Sequence, residues 1–239
     1  MDENWDTIAD WYAEQLSVGS AMHEFARDLL LGALPHDLSR TRAVDLGCGE
    51  GIVSRALARR GATVVGVDPT ERLVERARSI EGAEPCGASY AIDDGATLAT
   101  VGDGSADLVT AGLSLNNVPD LDAAIGSVRR VLVHGGHLVF TIPHPCFESP
   151  HAGWDEEGRR VVGDYFAEGF WRSANPVGVR RAGNHHRTLS AYLMLLLDHG
   201  FVLELVAEPR PDQRVLSQQP HRAGLPPFLL VRARRAEMV

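Results

Sequence analysis

Residues 43–51 read AVDLGCGEG: an apolar run with the character of a strand, then three glycines on alternate positions. A glycine-rich turn between strand and helix lets a ligand lie against bare backbone, and phosphates, dinucleotides and nucleosides all use such turns. The spacing narrows the choice. A dinucleotide fingerprint reads G-x-G-x-x-G, whereas Gly47, Gly49 and Gly51 give G-x-G-x-G with Ile52 where the third dinucleotide glycine would fall. Asp45, at the end of the strand, would repel a pyrophosphate and suits a ligand bearing positive charge, directly or through water. A second apolar run, VVGVDPT, ends on Asp68. Its carboxylate is expected to offer both oxygens to a ribose diol, the role of the acid that follows a nucleotide turn by about 20 residues. The plainer alternative is a tight turn, with Asp68 capping a helix toward Glu71.

Outward from this turn, short apolar runs alternate with helical patterns in the order that builds a parallel sheet with helices on both faces. Strands are predicted at 42–46, 63–68, 89–92, 106–114, 137–143, 201–208 and 228–233, and helices at 51–60, 71–79, 121–133 and 188–199. An N-terminal helical stretch over 5–34 precedes them, and Gly135-Gly136 is expected to turn the chain into the fifth strand. The expectation is one α/β domain over 1–239: a Rossmann-like, seven-stranded, mostly parallel sheet with an N-terminal helical lid (1–40). The alternation fails over 144–186, a stretch too long for an ordinary connection. It holds six of the fifteen aromatics, Phe147, Trp154, Tyr165, Phe166, Phe170 and Trp171. This insertion is expected to cap the carboxyl edge of the sheet, where ligands of open α/β folds bind; the alternative is a small aromatic core of its own.

Composition excludes several classes. The net charge is −9, and no basic run or basic-aromatic stripe offers a footprint for nucleic acid or an acidic membrane. All 23 permanently charged basic residues are Arg, so neither a Schiff-base lysine nor the lysine of a phosphate-binding loop is present. Cys48, Cys86 and Cys146 form no C-x-x-C pair and suggest a reducing compartment. With no visible secretory signal and no apolar run long enough to span a bilayer, a cytoplasmic protein is expected.

DLGCGEG followed by GVDPT resembles the class I S-adenosylmethionine-dependent methyltransferases. The resemblance continues through ADLVTAGLSLNNVPDLDAAIGSVRRVLVHGGHLVFTIPHP, similar to the small-molecule branch, and resumes more weakly at AYLMLLLDHGFVLELVAEPRP. It implies S-adenosylmethionine as cofactor and S-adenosylhomocysteine as product. It places Gly47, Cys48 and Gly49 against the amino acid end, with Asp45 near the ammonium, Asp68 on the ribose hydroxyls, and Pro69 with Thr70 beside the adenine. In DDGATL, Asp94 matches the residue that holds the adenine amino group, with Asp93 as the alternative and Ile92 turned to the core. Leu113, Ser114 and Asn116 would lie beside the methyl, or be ordinary strand-end turn residues. Tyr12, in IADWY, matches a tyrosine that closes over the methionine end; Tyr12 or Trp11 would exclude water, or simply pack.

Alignment of a nucleophile with the methyl–sulfur bond is then the main catalytic task. Where a proton must leave, His is the economical base, and His144 in TIPHPCF, His185 and His186 in GNHHRTLS are the candidates. The histidines and cysteines lack the spacing of a metal site, so no metal is expected. These features predict a methyltransferase acting at O or N of a small aromatic or apolar acceptor, with secondary metabolism plausible as its setting. Carboxyl or carbon transfer stays open. The alternative is a non-catalytic cofactor-binding scaffold or partner subunit, and a monomer or homodimer fits either.

Overall fold

The computed structural model describes residues 4–173 and 178–237; residues 174–177 of the expected cap lie outside the described residues. The chain opens with α1 (Trp5–Ser17) and α2 (Ala21–Gly32). There follow β1 (Arg42–Leu46), α3 (Ile52–Arg59), β2 (Thr63–Asp68), α4 (Glu71–Ala83), β3 (Ala88–Ile92), β4 (Ala106–Gly112), α5 (Leu121–Val131) and β5 (Leu132–Pro143). Four short strands come next: β6 (Gly153–Trp154), β7 (Arg160–Val161), β8 (Gly169–Trp171) and β9 (Asn184–His186). Beyond them lie α6 (Leu189–Asp198), β10 (Phe201–Ala207), α7 (Gln213–Gln218) and β11 (Phe228–Arg235).

Seven strands form one sheet in the order β10-β11-β5-β4-β1-β2-β3. β1 through β5 pair in parallel, while β11 runs antiparallel to both β5 and β10. Because a strand's side chains alternate between faces, Val44 and Leu46 of β1 join the core under α5 and α6, while Ala43 joins the core under α2, α3 and α4. Successive strands spread away from β1 in both directions. Their carboxyl ends therefore part between β1 and β4, the switch point at which open α/β sheets bind ligands.

Local chemistry explains where elements begin and stop. Asn4 and Thr7 cap α1 reciprocally, each side chain serving the other's backbone N–H. The single helical stretch expected over 5–34 is two helices, because the chain reverses at Gly19, φ 88°. β4 ends at Gly112, short of the expected 114, because Leu113 enters the left-handed region at φ 57°. Gly135-Gly136 does not precede β5 but lies inside it: α5 stops at Val131, and the pairing with β4 jumps from Ala106↔Leu132 to Leu108↔His137. Ile92, expected to face the core, is 43% exposed at the end of edge strand β3. No helix among the described residues is long and apolar enough to cross a membrane.

The segment after β5 is built by charge more than by aromatic packing. Glu148, buried, pairs with Arg160 at 3.2 Å, Arg180 at 2.8 Å and Arg222 at 2.7 Å. Burial would raise its carboxyl pKa, but Arg180, Arg222 and Arg160 outweigh this and hold it below the usual value. The six aromatics are scattered rather than gathered: Phe166 is 86% exposed, Phe170 is 54% exposed beside His185, and Trp154 stands edge-on to His221.

Candidate functional site

The carboxyl ends of β1, β2 and β4 and the loops after them enclose a cleft of about 560 Å³, within the range of about 300–1,000 Å³ usual for ligand sites. Gly47, Gly49, Asp68, Asp94, Leu113 and Asn117 line it, together with Trp5 and Tyr12 of α1. A smaller cavity of about 40 Å³ adjoins, sharing Tyr12, Gly47, Gly49 and Leu113 and adding His23, Arg27 and Asp45.

The glycine turn is dictated by its neighbours. At Gly47, φ 69°, an added Cβ would lie 2.3 Å from Cβ of Ser114, whose hydroxyl donates to the Leu46 carbonyl at 2.6 Å. At Gly49, φ 53°, an added Cβ would project into open space. Gly47 is therefore needed by the protein's own packing, while Gly49 leaves bare backbone at the cleft wall. Gly49 N–H donates to Asp68 Oδ2 and Thr70 N–H to Oδ1, both at 2.9 Å. Each Asp68 oxygen thus already accepts one backbone hydrogen bond. An ionised carboxylate has about four acceptor positions, so each oxygen retains one. Burial raises the Asp68 pKa, against the opposing backbone hydrogen bonds from Thr70 and Gly49.

Asp45 is buried, accepting from the Ser54 hydroxyl at 2.6 Å and from Thr110 at 3.0 Å. Burial pushes its pKa up to about 6, with the two hydroxyls opposing and the charge of Asp68 adding to the rise. No ion pair to Asp45 occurs among the described residues, so a nearby ammonium would stabilise its charged form. Asp93 and Asp94 separate clearly. Asp93 caps the following loop through Ala99 N–H, Thr100 N–H and the Thr100 hydroxyl, whereas Asp94 accepts from Thr97 N–H and lines the cleft with Pro69. Cys48 lines the smaller cavity, its thiol pushed well up by burial.

Other expected positions shift. Asn117 lines the cleft in place of Asn116; the Asn116 side-chain amide donates to Asn117 Oδ1, and its backbone carbonyl accepts from His185 N–H at 2.7 Å. His144, His185 and His186 line neither cavity. His144 is 1% exposed, and Cys146 N–H donates to its Nδ1 at 3.3 Å, which leaves Nε2 to donate to Glu208 Oε1 at 2.7 Å. Both ring nitrogens are thus engaged, and His144 pins the start of the insertion rather than facing a substrate. His186 donates from Nε2 to the Tyr165 carbonyl at 2.7 Å. His185 lies against Phe170, its pKa lowered by burial and by Arg187. None of the insertion's six aromatics lines the cleft, whose aromatic walls are Trp5 and Tyr12, 5.3 Å apart and edge to face. Burial, then Glu50 and Asp68, keep the Tyr12 phenol protonated. Trp11 instead stacks beneath the Arg181 guanidinium, 4.1 Å from its ring centroid. His23 and Arg27 were missed; they stand one helical turn apart on α2, a spacing that places two side chains on one face, but nothing in the sequence marks that face as the one over the turn.

A family model described as "Methyltransferase domain" matches residues 44–140. An S-adenosylmethionine-dependent methyltransferase from Mesorhizobium loti superposes with a TM-score of 0.73 at 32% identity, covering 91% of this chain and 99% of that one. Two relatives named ubiquinone biosynthesis O-methyltransferase match more locally. The one from Xanthomonas oryzae pv. oryzae is 39% identical over 103 residues, 43% of each protein. The one from Ralstonia nicotianae is 34% identical over 111 residues, 45% of each. These alignments thus span less than half the length of either relative. The chain belongs to the S-adenosylmethionine-dependent methyltransferases. Its residues fit that cofactor: bare backbone at Gly49, the carboxylates of Asp45 and Asp68 without ion pairs among the described residues, and a cleft of suitable volume beside them.

Proposed function

We propose that the protein transfers the methyl group of S-adenosylmethionine to a hydroxyl of a small aromatic molecule. The observation that carries this reading is the unbroken lining from Asp94 and Asp68 through the glycine turn to Leu113, faced by Trp5 and Tyr12. When bound, the sulfonium supplies an activated methyl group. Asp68 would hold the ribose hydroxyls with the lone pairs that Gly49 and Thr70 leave, and Asp94 with Pro69 would bracket the base. Gly47, Cys48 and Gly49 would underlie the amino acid end, where Asp45 suits an ammonium. Arg27, although paired with Asp28 at 2.8 Å, is the permanent cation of the smaller cavity and suits a carboxylate.

Leu113 sits where both cavities meet, in a backbone conformation that costs a branched side chain free energy. Such strain gathers at functional sites, and it supports Leu113 beside the transferring methyl. Tyr12 and Trp5 would exclude water from the reacting centre. Transfer to oxygen is favoured by the names of the Xanthomonas and Ralstonia relatives, and a flat acceptor by the two lid aromatics. The test is incubation with S-adenosylmethionine and a panel of phenols, catechols, amines and carboxylic acids, with mass spectrometry of the products. Methylation of phenolic oxygen is expected; cofactor binding without methylation of any compound overturns the reading.

A further inference from the structure

We propose that the protein binds a phosphate dianion, free or carried by a small molecule, between Arg129 and Arg235 at the amino edge of the sheet; this does not depend on the methyl-transfer reading above. A groove of about 590 Å³ lies there, lined by Asp103, Arg129, Arg130, His134 and Arg235 among others. Asp103 precedes β4, Arg129 and Arg130 stand in the last turn of α5, and Arg235 ends the antiparallel strand β11. The cofactor cleft is at the opposite, carboxyl ends of the strands.

In a chain of net charge −9, four basic side chains meet one carboxylate in this groove, and that carboxylate is engaged. Arg130 pairs with Asp103 and also donates to the carbonyls of Thr97, Leu98 and Val101. The carboxyl end of a helix favours cations, and Arg235 serves that end of α5 by donating from Nη1 to the Leu132 carbonyl. Arg129 does not: it has no hydrogen bond or ion pair among the described residues. Burial and the charge of Arg129 both lower the Arg235 pKa, so the two guanidiniums repel each other. The Arg235 Nε–H is buried without an acceptor, a cost that a slight turn of this long side chain toward an oxyanion removes. Glu237, two residues beyond, is exposed and pairs with neither arginine.

A dianion answers both features at once, accepting the orphaned donors and offsetting the repulsion. Guanidinium forks match the spacing of phosphoryl oxygens and offer each a pair of parallel N–H donors, and exposed His134 adds a ring N–H along the same groove. The volume leaves room for the organic part of a phosphate monoester.

The experiment titrates the protein with inorganic phosphate and, separately, with phenyl phosphate, at constant ionic strength set by sodium chloride. Arginine Nε–H signals are followed by ¹⁵N NMR and affinity by calorimetry. Wild type is compared with Arg129→Gln, which removes no hydrogen bond or ion pair of the fold, and with Arg235→Lys, which keeps the charge without the fork. Expected are saturable binding, shifts of the signals that these two variants lack, and an affinity weaker by about tenfold or more in Arg129→Gln, with S-adenosylhomocysteine affinity as in wild type. Tighter binding of phenyl phosphate would assign the groove to a phosphorylated small molecule, the reverse order to free phosphate, and either supports the proposal. Acetate bound as tightly as phosphate overturns the assignment to a dianion. Shifts that sodium chloride alone reproduces, or binding untouched by Arg129→Gln, overturn the site itself.

Discussion

The turn after β1 and the insertion after β5 both stand at the carboxyl edge of one sheet, yet they are built on different principles. At the turn, Asp68 accepts backbone hydrogen bonds from Gly49 and Thr70, and Asp45 accepts the hydroxyls of Ser54 and Thr110. These partners follow from adjacent parallel strands and the helix that begins after the turn. In the insertion, Glu148 gathers arginines from three places far apart in the chain, Arg160, Arg180 and Arg222. The cofactor side is thus fixed by backbone geometry that the fold itself demands. The insertion is fixed by charge contacts between side chains distant in the chain.

That contrast can be broken in graded ways. The largest effect is expected for Asp68→Ala. Hydrogen bonds to a charged group contribute about 1.5–3 kcal/mol each, so losing two ribose contacts should weaken S-adenosylhomocysteine binding by about 10²-fold or more in calorimetry. An unchanged Kd would remove Asp68 from the site. Next comes Glu148→Gln, which leaves three arginines around a neutral amide; breaking a buried ion pair costs about 3–5 kcal/mol. Denaturant unfolding and proteolysis within 150–183 should report that loss while cofactor affinity stays near wild type. If affinity falls in step, the two regions are not independent.

Gly47→Ala should cost about 1–3 kcal/mol of stability through backbone strain, beyond the clash with Ser114, and should lower the melting temperature. A neutral result would show that the turn can relax. The smallest effect concerns pH. Asp45 has its folded pKa raised to about 6 by burial, so between the ordinary carboxylate value and that pH the folded protein binds more protons than the unfolded chain, and stability falls as pH rises through this window. A ligand ammonium favours the ionised form, so cofactor affinity should move the other way. It should fall by up to about tenfold per unit as pH drops below 6 and level off above it. Affinity that is flat from pH 5 to 8 would place the ammonium elsewhere.

The same contrast explains what could be read without coordinates. β1 and β2 have the predicted bounds because their side chains alternate between two packed faces and end on residues with a special backbone task, Leu46 before Gly47 and Asp68 at the tip. Strand 4 was read two residues too long, through Leu113 and Ser114; only the left-handed backbone of Leu113 shows where the chain leaves the sheet. The preference for Asp94 over Asp93 came from the family resemblance; in the structure Asp94 lines the cleft while Asp93 caps the following loop. The histidines illustrate the limit. His144 looks functional because it follows a strand end, yet its partner Glu208 lies on the segment after β10, a distance in sequence that no local pattern reveals. His23 and Arg27 carry the opposite lesson: their helix crosses the glycine turn only once the fold is complete. The insertion's aromatics were read as a substrate roof because large rings suggest flat ligands, but several instead pack against arginines and histidines of the insertion itself.

The stacking of Trp11 beneath Arg181 has a kinetic consequence. The same helix carries Trp5 and Tyr12 against the cleft, so any outward swing of α1 would have to pull the indole away from its guanidinium and give up that contact.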